Sequence, residues 1–252
     1  MKKISILVLS VLFLASCSNK KNLIYLNDSN KNNINKIDYS KLYNNIEIGD
    51  ILKIDVQTDL PEASTPYNKI INSVSNEAML FDGYLVSENY SINFPILGDI
   101  SVLKINEEIL AKKITRLLIE NGHLSNPFVR VRKINSKFTI LGEVKTPGTF
   151  PIYEKNINIF QALGYAGDLT INGERDNITL IREGNGLRKT YKLSINDSEI
   201  LQKPYYFIKN NDIIIVEPNF SKVKSAGFIG SPNSIASIAS LLLSITLLII
   251  NK

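Results

Sequence analysis

The chain is short of the side chains that most enzymes rely on. It has one histidine, one cysteine and no tryptophan in 252 residues. A single cysteine excludes a disulfide within the chain. With Cys17 directly behind an apolar leader, no Cys–His nucleophilic pair and none of the common zinc ligand sets can be assembled. His123 follows Gly122 just past an expected helix and reads as an exposed loop residue. Counting residues leaves open a Ser–Lys or two-carboxylate site, but no spacing points to one. Glycine-rich phosphate loops are missing, since Gly164, Gly167 and Gly173 fit neither the dinucleotide nor the Walker spacing. There is no basic stripe. The densest cluster, Arg130, Arg132 and Lys133, alternates with Val129 and Val131, the pattern of a strand's solvent face rather than of a nucleic-acid site. The expectation is a protein that is not an enzyme, with no catalytic, cofactor-binding or metal-binding residues and no nucleic-acid partner.

Both ends of the chain favour a membrane. Lys2 and Lys3 precede an apolar run, Ile4 to Leu14, of signal-peptide length but too short to span a bilayer. Leu14-Ala15-Ser16-Cys17 closes it with the small-small-Cys pattern of a bacterial lipobox. Residues 1–16 are therefore expected to be removed and Cys17 to carry lipid. Losing Lys2 and Lys3 lowers the net charge from +5 to about +3. Ser18, in place of an aspartate, favours the outer membrane. Residues 17–42 are polar and Asn-rich and read as a flexible lipidated tether.

At the other end, Ile235 to Ile250 carries no charge. As a helix it would be about 24 Å long, short against a hydrocarbon core of about 30 Å but suited to a thinner outer membrane. The expectation is a linker over 220–233 and a transmembrane helix over 234–252. Ser234, Ser237, Ser240 and Ser244 recur at three- and four-residue steps and share one face. Three readings stay open: a face lining a wetted pore, a face permitting close helix packing, or a plain tail anchor. The lipid already anchors the chain, which argues for one of the first two.

Between the ends, periodicity predicts an α+β body. Gly49-Asp50 is a turn into a half-buried strand with Leu52, Ile54 and Val56 on its inner face. Residues 59–77 read as a loop. Tyr90, Ile92 and Phe94 share one side of the next strand. Pro95 and Gly98-Asp99 interrupt it before Ile100. Asn106 is an N-cap, with Glu107 and Glu108 in the first turn and Leu110, Ile114, Leu117 and Leu118 on one stripe. Gly122 ends this helix, and Phe128 to Lys133 is a strand. A second unit begins at Lys137, with a strand over Phe138–Val144. A type II turn is expected at Thr146-Pro147-Gly148-Thr149, with Gly148 supplying the positive φ. Asn158 caps a short helix, Ile159 to Tyr165. Strands near Asn177–Ile181, Lys189–Leu193 and Ile213–Val216 complete a small mixed sheet around one helix, a β-grasp-like arrangement.

Tyr43…Ile48-Gly49-Asp50-Ile51-Leu52-Lys53-Ile54, then Phe94-Pro95-Ile96-Leu97-Gly98-Asp99-Ile100, then Pro127-Phe128-Val129-Arg130-Val131 resemble, in order and spacing, a polysaccharide biosynthesis/export domain. Leu141-Gly142-Glu143-Val144-Lys145-Thr146-Pro147-Gly148-Thr149-Phe150 is similar to the start of an SLBB (soluble-ligand-binding β-grasp) domain. Ala166-Gly167, Leu180-Ile181-Arg182 and Asn211-Asp212-Ile213-Ile214-Ile215-Val216 follow as its later landmarks. The resemblance is to outer-membrane polysaccharide export lipoproteins of the Wza type. It implies an export domain over 43–135 and an SLBB domain over 136–219. Gly49, Asp50, Pro95, Gly98, Gly142, Pro147, Gly148, Gly167 and Asp212 would be structural motif residues. It further implies a ring homo-oligomer whose C-terminal helices cross the outer membrane. The ring would pass capsular or extracellular polysaccharide from periplasm to surface, driven by an inner-membrane copolymerase. The sequence departs from the family at Ala166-Gly167-Asp168, where Ala-Gly-Gly is common, and shows one SLBB unit rather than two. The competing expectation is a membrane-anchored periplasmic glycan-binding or adaptor lipoprotein without a pore.

Overall fold

The computed structural model describes residues 23–28, 45–69, 80, 82–184, 186–219, 223, 236–241 and 244–245. The body is α+β and is built on two hydrophobic cores.

The first core forms around β1 (Ile51–Gln57), which pairs antiparallel with β2 (Tyr84–Leu85) on one side and β5 (Phe128–Lys133) on the other. Strict alternation along β1 sends Leu52, Ile54 and Val56 inward. β3 (Ser91–Phe94) and β4 (Gly98–Ser101) form a hairpin that adds Ile92, Phe94 and Ile100 to the same core. The lid is α2 (Glu107–Glu120), whose Asn106 side chain accepts from the Ile109 N–H at 2.9 Å. Its buried stripe is Leu110, Ile114 and Leu118, with Leu117 half-buried against it. Each such side chain contributes about 2 kcal/mol by leaving water. Gly122, at φ +70°, lies just beyond the end of α2.

Over residues 59–77, read as a loop, the described part is folded. α1 (Pro61–Ser64) runs into a 3-10 turn, Thr65–Tyr67, that buries Tyr67. Pro61 presets the first helical position and Asn68 bonds back to Val56 through its side chain at 2.8 and 2.7 Å.

The second core lies under a five-stranded mixed sheet in the order β10-β9-β12-β6-β7. Its strands are β6 (Lys137–Gly142), β7 (Gly148–Pro151), β9 (Gly173–Gly184), β10 (Leu187–Leu193) and β12 (Ile213–Pro218). β12 pairs parallel with β6, and the remaining pairs are antiparallel. Between β7 and β9 lie β8 (Ile157–Asn158) and α3 (Ile159–Tyr165). α3 starts with a reciprocal capping box between Asn158 and Gln161. β11 (Phe207–Ile208) pairs with β8. Phe138, Ile140, Leu163, Ile178, Leu180 and Ile214 meet inside.

One expected turn is different. Gly148 does not sit in the left-handed region; it opens β7. The left-handed glycines of this corner are Gly142 (φ +90°) and Gly167 (φ +72°). Gly142 lies so close to β12 that a Cβ would stand 2.0 Å from the Val216 carbonyl oxygen. No side chain fits there, whereas Gly148 has only ordinary contact distances around it.

Gly142→Ala is therefore expected to cost roughly 3 kcal/mol or more, from backbone overlap and positive φ together. Gly148→Ala is expected to cost less than ~1 kcal/mol. Thermal melts of the two variants check the contrast.

Candidate functional site

Two of the motif residues, Asp50 and Asp212, form the same device twice. In residues 47–50, the Asp50 N–H donates to the Glu47 carbonyl at 3.1 Å, and the Asp50 carboxylate accepts from the Glu47 N–H at 2.8 Å. Gly49 supplies the left-handed residue, at φ +82°. In residues 209–212, the Asp212 N–H donates to the Lys209 carbonyl at 3.2 Å, and the Asp212 carboxylate accepts from the Lys209 N–H at 2.8 Å. Here Asn211 takes the left-handed place, at φ +62°, which asparagine tolerates better than most residues. The first turn launches β1 and the second launches β12.

Each buried carboxylate has its own cation. Lys133, at the end of β5, reaches Asp50 at 3.1 Å. Arg182, on β9, grips both oxygens of Asp212 at 2.9 and 2.7 Å and donates to the Phe207 carbonyl at 2.7 Å. The bidentate fork is the strong form of this pair.

The two turns touch. Asn210 donates to the Asp50 carboxylate at 3.2 Å and accepts from the Lys137 N–H at 3.0 Å. Only residues 134–136 separate β5 from β6, and Asn135 stitches them to the first turn. It accepts from the Ile51 N–H and donates to the Gly49 carbonyl, both at 2.9 Å. Glu47 and Lys209 face this junction with opposite charge. Burial pushes the Glu47 carboxyl up, with the Asp50 charge adding and Lys133 and Lys209 opposing. Burial pushes the Lys209 ammonium down, with Arg182 adding and Asp212 and Glu47 opposing.

A further contact was not foreseen. Residues 23–28, inside the expected tether, are strapped onto the second core. The Leu26 N–H donates to the Ile195 carbonyl at 3.1 Å and the Asn27 N–H to the Asn196 carbonyl at 2.8 Å. Asp28 accepts from the Ser198 N–H and hydroxyl at 2.7 and 2.9 Å. The Tyr25 ring lies against Phe160 and under the Arg175 guanidinium, and its hydroxyl donates to Asp168. Burial first, then the Asp168 bond and charge, pushes that hydroxyl up to about 12. Asp168 stands at φ +74° and also accepts from the Leu169 N–H at 2.7 Å. The position where the resemblance leads one to expect glycine thus holds an aspartate that receives the strap. The run Leu23-Ile24-Tyr25-Leu26, apolar within an Asn-rich tract, was the available clue.

The other expected positions are separate from this junction. Pro95 and Gly98 flank the β3–β4 tip, where Gly98 is at φ +70°. Pro147 precedes β7. Gly167, just past α3, would bring a Cβ within 3.2 Å of Lys145. Ser237, Ser240 and Ser244 are helical and exposed. The Ser240 hydroxyl bonds the Ser237 carbonyl at 2.8 Å, and the Ser244 hydroxyl bonds the Ser240 and Leu241 carbonyls, both at 3.0 Å. Cys17 and Ser234 lie outside the described residues. Among the described residues, no helix is long and apolar enough to cross a membrane.

Removing the Asp212 charge leaves Arg182 buried and unpaired, so Asp212→Asn is expected to cost about 3 kcal/mol. Glu47 behaves oppositely. Its raised folded-state pKa contributes stability that is full at low pH and is lost as pH rises through that pKa. Glu47→Gln is therefore expected to leave neutral-pH stability unchanged or higher. Urea unfolding of both variants at pH 7 checks the signs.

Residues 42–133 match the family described as polysaccharide biosynthesis/export protein, and residues 136–216 match the SLBB domain. The EPS I polysaccharide export outer membrane protein EpsA of Ralstonia solanacearum is 29% identical over 203 residues, covering 75% of this chain and 52% of that protein. Its counterpart from Ralstonia nicotianae is 28% identical over 201 residues, covering 75% and 51%. The chain thus spans about half the length of these relatives. With its first core inside the one match and its second inside the other, the chain carries a polysaccharide biosynthesis/export domain over residues 42–133 with an SLBB domain directly behind it.

Proposed function

We propose that this chain is a subunit of an oligomeric outer-membrane channel that passes capsular or extracellular polysaccharide from the periplasm to the cell surface. The observation that carries this reading is the tandem of export and SLBB domains, shared over 203 residues with a polysaccharide export outer membrane protein. In this reading the chain is not an enzyme, and its work is to hold and pass a polymer. Cys17 carries the lipid, residues 43–219 stand in the periplasm, and residues 234–252 cross the outer membrane. The partners are further copies of the chain in a ring, outer-membrane lipid, the polysaccharide and an inner-membrane copolymerase.

Two physical features support it. The charged junction holds export and SLBB domains in a fixed order, as a stacked wall requires. The strap ties the SLBB domain to the chain close behind Cys17, so a lipid there would keep that domain near the membrane.

The second reading, an anchored adaptor without a pore, draws on the tail. The hydroxyls of Ser240 and Ser244 are committed to their own backbone carbonyls. Such back-bonded serines favour a close-packing face over a pore-lining one, which fits helices packed in a ring as well as an adaptor's tail.

Deleting residues 233–252 is expected to leave a folded, exported lipoprotein and to stop polymer from reaching the surface. Surface polymer is read with a glycan stain, and the protein by membrane fractionation. Normal surface polymer in the truncated strain would remove the channel and leave the adaptor.

A further inference from the structure

The export domain has one face that its own core does not explain. Alternation along β1 and β5 turns Lys53, Asp55, Arg130, Arg132 and Phe128 away from α2 and toward solvent. Register places Asp55 opposite Arg130 and Lys53 opposite Arg132. A directly opposed pair of like charges is unfavourable in an antiparallel ladder.

Among the described residues, the one carboxylate on this face, Asp55, does not neutralise it. Asp55 lies 3.8 Å from Lys53 and 3.8 Å from Arg130, at the limit of an ion pair to each. Arg132 has no ion pair among the described residues and is exposed. The three cations therefore sit about 5–7 Å apart on a single open sheet face. Phe128 stands at the end of the row, 61% exposed. On the neighbouring α2, Glu108 and Glu120 are already paired with Lys112 and Arg116. Among the described residues, Asp55 is the carboxylate ion-paired on this face, and it leaves the three cations with a net positive charge.

We propose that this face binds a carboxylate-bearing polysaccharide. The guanidinium groups of Arg130 and Arg132 take sugar carboxylates, where planar forks can bond two oxygens at once. Lys53 adds charge without directional demand. The flat, apolar ring of Phe128 packs against the C–H face of a pyranose. A polymer with alternating acidic and neutral surface fits a row of cations ending in an aromatic ring better than compact phosphate does. The inference rests on the export reading and narrows it: the exported polymer is acidic.

The test uses the full lipidated chain in detergent, titrated calorimetrically at low salt. The probes are oligogalacturonate, dextran of matched length and tripolyphosphate. The wild type is expected to bind oligogalacturonate and not dextran. Replacing both arginines (Arg130→Gln, Arg132→Gln) is expected to weaken oligogalacturonate at least about tenfold and to flatten its salt dependence. Arg132→Gln alone should leave Tm unchanged or raise it by about 1–3 °C, because it relieves the opposed pair. That keeps a binding loss distinct from misfolding. Arg188→Gln, a single charge loss that matches Arg132→Gln alone but lies on the β9–β10 hairpin, should change affinity less than about twofold. Phe128→Ala should weaken oligogalacturonate and spare tripolyphosphate.

Three results would overturn the inference. One is no binding of oligogalacturonate, or equal binding of dextran. Another is an arginine-pair variant that behaves like Arg188→Gln. The last is an arginine-pair variant that breaks up the native assembly with affinity unchanged, which would make the face a contact between copies. The export reading is judged separately, by whether deleting the whole chain abolishes surface polymer. Loss of polymer on deletion, with unaltered binding in the arginine-pair variant, would sink this inference alone.

Discussion

Everything in the body hangs on two buried aspartates that do the same thing in two domains. Asp50 and Asp212 each close a tight turn, start a core strand and hold one cation. Burying a carboxylate is expensive unless its lone pairs are filled and its charge is met. Here both demands are satisfied by neighbours that belong to the turn, the sheet and the adjoining domain. Because Asn210 binds the first turn from within the second, the two domains are not strung on a free linker. The same few residues fix local backbone, strand entry and domain order.

The strap adds a second constraint of a different kind. Main-chain bonds from Leu26 and Asn27 lay it along the second core, and Tyr25 plugs its end. Asp168 accepts the cost of a left-handed backbone, which a glycine would avoid, and gains Tyr25 as a partner. A departure from the usual family pattern thus has a local cause. It also changes the mechanics of the chain, since residues 23–28 are docked on the SLBB domain. Any pull at the front of the chain would be borne by that domain first.

Much of this architecture was legible in the residue order. The helix capped by Asn106, the helix capped by Asn158 and the strand Phe128–Lys133 appear where periodicity and capping put them. Each is specified by local chemistry: a side-chain cap, a 3.6-residue stripe, a two-residue alternation. The misses have the opposite character. Gly148 looked like the turn glycine because Pro147 precedes it. The glycine that must be glycine is Gly142, for a clash with Val216 that lies far away in sequence. β9 runs from Gly173 to Gly184, longer than its Asn177–Ile181 centre suggested, because β10 and β12 extend the pairing. Of the candidate site, the motif residues Gly49, Asp50 and Asp212 were visible, but not that they meet. That knowledge needs Asn210, Lys133 and Arg182, whose roles exist only once the strands pair.

Physical economy links the parts to the proposed channel. A wall of stacked domains needs a rigid joint, which the paired turns supply. In the proposed channel it would also need a fixed end near a lipid at Cys17, which the strap would supply, and a way to repeat around an axis, which only assembly can supply. The most direct measurement is the native mass of the lipidated protein extracted in detergent, with class averages of the same sample. A single assembly of several subunits around a central cavity is the predicted result. A monomer or dimer that persists across detergents would contradict the channel and leave an anchored adaptor.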